Sequence, residues 1–268
     1  MIKIASLGPH LGEEPSISGT CGSGTIFFSG CNLRCVYCQN YQISQQGMGY
    51  EVRGMELADK MLDLQAKGCH NINLVSPSHV APQVIEALKL AKARGLKIPI
   101  VYNTNGYDSP QILKMMKGWV DIYLPDIKYS SDENAFKYSG VKNYVERNRA
   151  AITEMFRQVG NLQLDENGIA RWGIIVRHLV LPNDIAGSFE SLKFLASLSR
   201  DIRVSIMAQY HPCHKASQYP ELNRRINAAE YEKVIMWSAE CGLRNILTQE
   251  LESADIYMPD FNRERPFV

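Results

Sequence analysis

The 268-residue chain has almost no excess charge: 29 Lys and Arg face 28 Asp and Glu, for a net of +1. A balance this even gives no electrostatic case for a nucleic-acid or anionic-membrane partner. Long apolar runs are also missing, and none approaches the ~18 residues that a membrane-crossing helix needs. The start, MIKIASLGPHLGEEP, has no apolar leader, because Pro9, Glu13 and Glu14 arrive too early. The compartment expected by default is therefore cytoplasmic. No linker, low-complexity tract or internal repeat divides the sequence. A single domain is expected over 1–268, with an N-terminal extension (1–24), a core (25–248) and a C-terminal tail (249–268). At 45% hydrophobic residues, the chain can bury a large core without disulfides.

What is present begins with cysteine. There are seven, an odd number that argues against a disulfide framework in a chain with no secretory leader. Three crowd into one short string, Cys31-Asn-Leu-Arg-Cys35-Val-Tyr-Cys38. Thiols this close read as metal ligands or redox groups. Cys21, Cys69, Cys213 and Cys241 are scattered singly and read as small buried hydrophobes.

Around that string the apolar pattern alternates between strand and helix. Residues 1–23 read as irregular, being rich in Gly, Ser and Pro. Strands are expected at 25–28, 72–75, 98–102, 120–124, 173–180 and 202–206, with a short closing piece at 245–248. Helices are expected at 55–67, 82–94, 110–117, 134–158, 189–199 and 228–241. Asn167-Gly168, inside the alternating stretch 162–172, marks a hairpin. Six βα units in series imply a parallel α/β sheet, either doubly wound or a barrel short of the eight units that close one. In both architectures chemistry sits at the C-terminal ends of the strands. The cysteine loop follows the first of them.

Three thiolates from one loop can each hold one corner of a four-iron cubane, leaving one iron without a protein ligand. An open coordination position marks a reactive metal site. Structural zinc is the competing reading, but it wants four Cys or His ligands and no second CxxC exists here.

At these residues the chain resembles the radical S-adenosylmethionine (SAM) enzymes, whose hallmark is CxxxCxxC with an aromatic residue before the third cysteine, here Tyr37. The wider SGCNLRCVYCQN is similar to the activating enzymes of glycyl radical enzymes, of which pyruvate formate-lyase activating enzyme is one. Closer still are the activating-enzyme-like iron–sulfur proteins. They share GEEPSISG (12–19), GSGTIFFSGCNLRC (22–35), NLVSPSHV (73–80), QYHPCHKA (209–216), LNRRIN (222–227) and PDFNRE (259–264). The resemblance implies a partial (β/α)6 TIM-like barrel and one [4Fe-4S] cluster held by Cys31, Cys35 and Cys38. It implies that SAM binds the open iron and is cleaved reductively to a 5′-deoxyadenosyl radical, in oxygen-sensitive chemistry. It further implies hydrogen abstraction from a substrate, such as a glycine of a partner protein, and a one-electron donor of flavodoxin or ferredoxin type. A small-molecule substrate, or a non-catalytic iron–sulfur or zinc protein that binds or senses, fits the same residues.

Polar groups at the strand ends are candidates for the SAM site. Asn103 and Asn105 share a face after the third strand, as do Asp126 and Lys128 after the fourth. Arg177 interrupts an apolar strand and must meet an anion to be buried there. His178 alternates against it and is expected to face the helices. The resemblance adds Tyr37, Ser76, Asn103, Thr104, Asp126, Lys128, Arg177 and His211 as SAM contacts. One departure stands out: activating enzymes carry a Gly-Gly-Glu segment where this chain has Leu74-Val75-Ser76-Pro77-Ser78, so Ser76 and backbone carbonyls would receive the SAM amino group.

Overall fold

The computed structural model describes residues 1–253, 258–263 and 266–267. Parts of the tail, including the final Glu of PDFNRE, lie outside the described residues.

The N-terminal stretch is not irregular. It forms a strand, β1 (Ile2–His10), and one helical turn, α1 (Pro15–Ser18). Gly8 and Pro9 disguised the strand. Pro9 is tolerated because β1 pairs on its second side only through Ile2, Lys3 and Ile4. Next come β2 (Ser23–Phe28), the turn α2 (Tyr41–Ser44) and a short β3 (Tyr50–Val52). The repeating part follows as α3 (Gly54–Ala66), β4 (Ile72–Val75), α4 (Ala81–Ala93), β5 (Ile100–Thr104), α5 (Pro110–Met116) and β6 (Ile122–Pro125). It continues as α6 (Asp132–Ser139), α7 (Tyr144–Val159), β7 (Gln163–Leu164), β8 (Ala170–Leu179), α8 (Ser188–Leu198), β9 (Arg203–Met207), α9 (Ala228–Glu240) and β10 (Asn245–Leu247).

The strands lie in the order β10-β9-β8-β6-β5-β4-β2-β1-β3. From β2 to β10 every neighbour is parallel, while β1 runs antiparallel to β2 and β3. β7 hairpins onto β8 through the turn containing Asn167-Gly168. The first and last parallel strands do not meet, so the architecture is a partial α/β barrel, as expected. No helix among the described residues is long and apolar enough to cross a membrane.

Alternation along the strands sorts the core. Ile72, Leu74, Ile100, Tyr102, Tyr123, Ile174 and Val176 belong to the large cluster shared with the helices. Val101, Ile122, Leu124 and Ile175 point the other way and, with Ala170, pack around Ile17 of α1. The turn α1 therefore closes the inner face like a floor. On the same inner parity, further along each strand, lie Val75, Asn103, Asp126 and Arg177.

Two further expectations need correction. The single helix over 134–158 is two. Gly140 caps α6 in the left-handed conformation (φ 70°), and Asn143, also left-handed, starts α7. Of the four scattered cysteines only Cys69 is buried; Cys21 is exposed, and Cys213 and Cys241 are half-buried.

Candidate active site

The loop after β2 is fastened on several sides. His79 Nε2 bonds to the carbonyl of Ser29 at 2.7 Å. Asn32 Nδ2 donates to the carbonyl of Tyr107 (2.8 Å). The backbone N–H groups of Arg34 and Val36 donate to Ser139 and Tyr138 at the end of α6. The break between α6 and α7 is what brings this helix end to the loop.

Each thiol has a polar neighbour. Cys31 Sγ accepts from Leu33 N–H (3.4 Å) and Asn105 Nδ2 (3.3 Å). Cys38 Sγ lies 3.2 Å from the Ser44 hydroxyl. Cys35 Sγ accepts from Ser139 O–H at 3.0 Å. The hydroxyls of Tyr37, Tyr129 and Ser139 form a buried chain behind it, with links of 2.5 and 2.8 Å. Burial pushes the Cys35 thiol up to about 12 and the Cys38 thiol up to about 11. Thiols this reluctant to ionise release protons when a metal binds them.

Across the same cavity stands a buried ionic cluster. Arg177 Nε donates to Asp126 Oδ1 (2.9 Å), and Lys128 Nζ donates to Asp126 Oδ2 (2.6 Å). Arg177 Nη2 reaches Asn103 Oδ1 (2.5 Å) and Nη1 reaches Glu13 Oε2 (3.4 Å). A parallel bridge between Asp126 and Arg177 extends the β6–β8 pairing and sets the two side by side. Burial alone would raise the Asp126 carboxyl, but Arg177 and Lys128 together hold it below the usual carboxylate range. Burial likewise works against Arg177 and Lys128, and their acidic partners outweigh it. Removing one partner from such a cluster strands a buried charge, at a cost of about 3–5 kcal/mol.

The eleven residues named from the sequence all line this one cavity: Cys31, Cys35, Cys38, Tyr37, Ser76, Asn103, Thr104, Asp126, Lys128, Arg177 and His211. Their local settings differ. Ser76, at the end of β4, has a left-handed backbone (φ 58°), a conformation that costs a non-glycine residue about 1 kcal/mol or more. Its N–H is spent on the carbonyl of Asn103 (2.8 Å). Thr104 donates its hydroxyl to Asp108 (2.6 Å), which also receives Tyr102 and Ser78. His211 Nδ1 lies 3.5 Å from an Arg225 nitrogen. His178 faces away, with Ser188 of α8 beside its Nε2 at 2.8 Å.

Three further residues contribute, of which Asn148 and Glu13 were not singled out from the sequence. Asn105 reaches both Cys31 and Asn32, and tightens the tie between the β5 end and the cysteine loop. Asn148 of α7 donates to the carbonyls of Gly106 and Asp126 from beneath the strand ends. Glu13 rises from the floor segment, its side chain only 8% exposed, and accepts from Asn73 (2.8 Å) besides Arg177. The only sequence hint of Glu13 was its place in GEEPSISG.

The donor set suits an iron–sulfur cubane. Three thiols from one loop line one cavity, each beside a hydrogen-bonding group of the kind that stabilises cluster sulfur. Among the described residues, no three His, Cys, Asp or Glu converge as ligands of a single metal ion. A lone tetrahedral zinc needs that convergence; a cubane, which takes one thiolate per iron, does not.

Fold and site together define an α/β partial-barrel protein with a three-cysteine metal loop at the strand ends. The profile of the Radical SAM superfamily matches residues 25–164, and the chain belongs to that superfamily, whose members use a [4Fe-4S] cluster and SAM. An uncharacterized protein of Methanocaldococcus jannaschii is 33% identical over 84% of this chain and 64% of its own length, so this chain spans under two thirds of that relative. The pyruvate formate-lyase-activating enzyme of Clostridium pasteurianum is 28% identical over 78% of this chain and 85% of its own. Among solved structures, Streptococcus suis SuiB bound to S-adenosylmethionine shares the fold over 84% of this chain and 47% of that one, with a TM-score of 0.52 at 13% identity.

Proposed function

We propose that Cys31, Cys35 and Cys38 hold a [4Fe-4S] cluster, and that Tyr37, Ser76, Asn103, Thr104, Asp126, Lys128, Arg177 and His211 seat SAM beside it. The observation that carries this is the shared cavity, with three thiols on one wall and the Asp126–Arg177–Lys128 cluster on another. When bound, the cluster and SAM supply one-electron cleavage of the sulfonium, giving methionine and a 5′-deoxyadenosyl radical that abstracts hydrogen. The protein contributes position. Lys128 and Arg177 present fixed positive charge to a carboxylate, with Asp126 keeping both in register. Ser76 and the β4 end offer polar groups opposite. The buried tyrosine and serine hydroxyls hold a donor on Cys35 without admitting bulk water.

The substrate reading is a glycine of a partner protein, supported by the likeness to the Clostridium pasteurianum activating enzyme. It entails a flavodoxin or ferredoxin type electron donor, with 1–268 acting as one unit.

The test is anaerobic reconstitution with iron and sulfide, then reduction with dithionite in the presence of SAM. The expected outcome is a reduced-cluster paramagnetic signal altered by SAM, with 5′-deoxyadenosine released. Replacing Cys31, Cys35 or Cys38 by Ala should abolish release. A triple variant that still released it would refute the assignment, and bound zinc in place of a SAM-responsive cluster would favour a structural or sensing role.

A further inference from the structure

A second cavity, of about 570 Å³, lies between the floor segment and the ends of β9 and β10. Its walls include Glu13, Glu14, Ser205 and Gln249, and it shares Arg177 and Gln209 with the cavity of the cysteine loop. The two spaces therefore adjoin.

Glu14 is the unusual wall. Its side chain is buried, the residue being 8% exposed, and its Oε2 has no hydrogen-bond partner among the described residues. Buried polar atoms are rarely left this way, because nothing replaces the hydration they lose. Arg177 spends three of its five N–H groups on Asp126 (Nε), Glu13 (Nη1) and Asn103 (Nη2), and Ser205 hydrogen-bonds the Glu14 carboxyl, yet none of these donors reaches Oε2. Lys128 is held by Asp126. Around the junction three carboxyl groups (Glu13, Glu14, Asp126) thus face two cations (Arg177, Lys128). What Oε2 lacks is a donor, and the excess of carboxyl groups over cations favours a positive one.

We propose that this second cavity is the substrate subsite, and that it takes an ammonium or guanidinium group whose N–H bonds complete Glu14. The proposal rests on the radical SAM reading of the adjoining cavity and names the chemical class of its substrate. The volume suits one long side chain or a small amine, within the usual range of ligand pockets. The same cation is available from a free amine or from a lysine or arginine of a peptide. Its binding here would place the neighbouring carbon chain toward Gln209 and Arg177, on the side of the cysteine loop.

The test is anaerobic calorimetry on the cluster-loaded protein with SAM present. The probes are butylammonium and a capped Gly-Gly-Lys-Gly-Gly peptide, against butanoate and the same peptide with norleucine for lysine. Butylammonium should bind saturably and butanoate should not. Lysine-peptide binding tighter than butylammonium would assign the source as a peptide, and the reverse a small amine. Glu14→Gln should weaken the favoured cation at least tenfold, whereas Glu86→Gln on the exposed face of α4 should leave it unchanged. If Glu14→Gln does not fold, Ser205→Val narrows the same cavity from β9 and should weaken binding equally. Equal binding of cation and anion, or binding indifferent to both cavity variants, overturns the proposal. Release of 5′-deoxyadenosine by the unaltered protein is scored in parallel samples reduced with dithionite. If it is absent, the radical SAM reading fails; if it is present without cation binding, the subsite alone fails.

Discussion

Arg177 and His178 show how one strand serves two environments. Arg177 faces inward to the ionic cluster, and His178 faces outward between the carbonyl of Ile127 (2.8 Å) and Ser188. Burial holds the His178 imidazole below its ordinary value. The unfolded chain takes up a proton near pH ~6.5 that the folded ring refuses, so its contribution to stability is lost as pH falls through that value. Glu13, Glu14 and Asp108 act oppositely, since burial raises them and the folded state binds their protons first. The difference between the melting curves of the parent protein and His178→Gln isolates the histidine. The parent should lose more of its melting temperature than the variant between pH 7.5 and 5.5, and a difference that does not change with pH would contradict a buried neutral ring. At this scale the sequence was informative where a residue broke a pattern: an arginine in an apolar strand needs an anion. It was silent on Glu13 and Asn148, because a carboxylate in a Pro- and Gly-rich stretch and an amide within a helix have solvated readings by default.

The elements were legible wherever a helix presents one apolar stripe. In α3, Leu57, Ala58, Met61 and Leu64 are buried, as the periodicity requires. The boundary between α6 and α7 was not, because the apolar pattern carries through it and only the left-handed Gly140 and Asn143 interrupt the backbone. An added Cβ at Gly140 would meet nothing nearer than the Arg34 Cβ at 3.6 Å, so a substitution there costs conformation rather than space. Gly140→Ala should lower stability by about 1 kcal/mol, read from the midpoint of urea unfolding. Gly106 differs: an added Cβ would lie 2.2 Å from both Asn148 Nδ2 and the Asp126 carbonyl oxygen. That glycine permits the close approach of the β5 and β6 ends on which the cavity depends.

For the whole molecule, six βα units and a short closing strand could be counted from periodicity, and the fold is built that way. What periodicity could not give is how the inside is filled. Period-2 patterns say which residues share a face, not which distant segment covers it. Here the cover is α1, with Ile17 fully buried among Val101, Ile122, Leu124, Ala170 and Ile175. Ile17→Ala should cost about 2–5 kcal/mol in urea unfolding, the range for a large-to-small change in a packed core. A loss far below that would mean the floor is loosely held.

The same floor has a consequence for synthesis. Glu13 and Arg177 are 164 residues apart in sequence. At ~5–20 residues per second, translation leaves roughly 10–30 s between them. Throughout that interval Ile17 has no β8 to pack against, and the nascent chain carries a partly covered apolar turn ahead of its unfinished barrel. Early-made and late-made segments must then join in one final docking step, so the interior takes shape last.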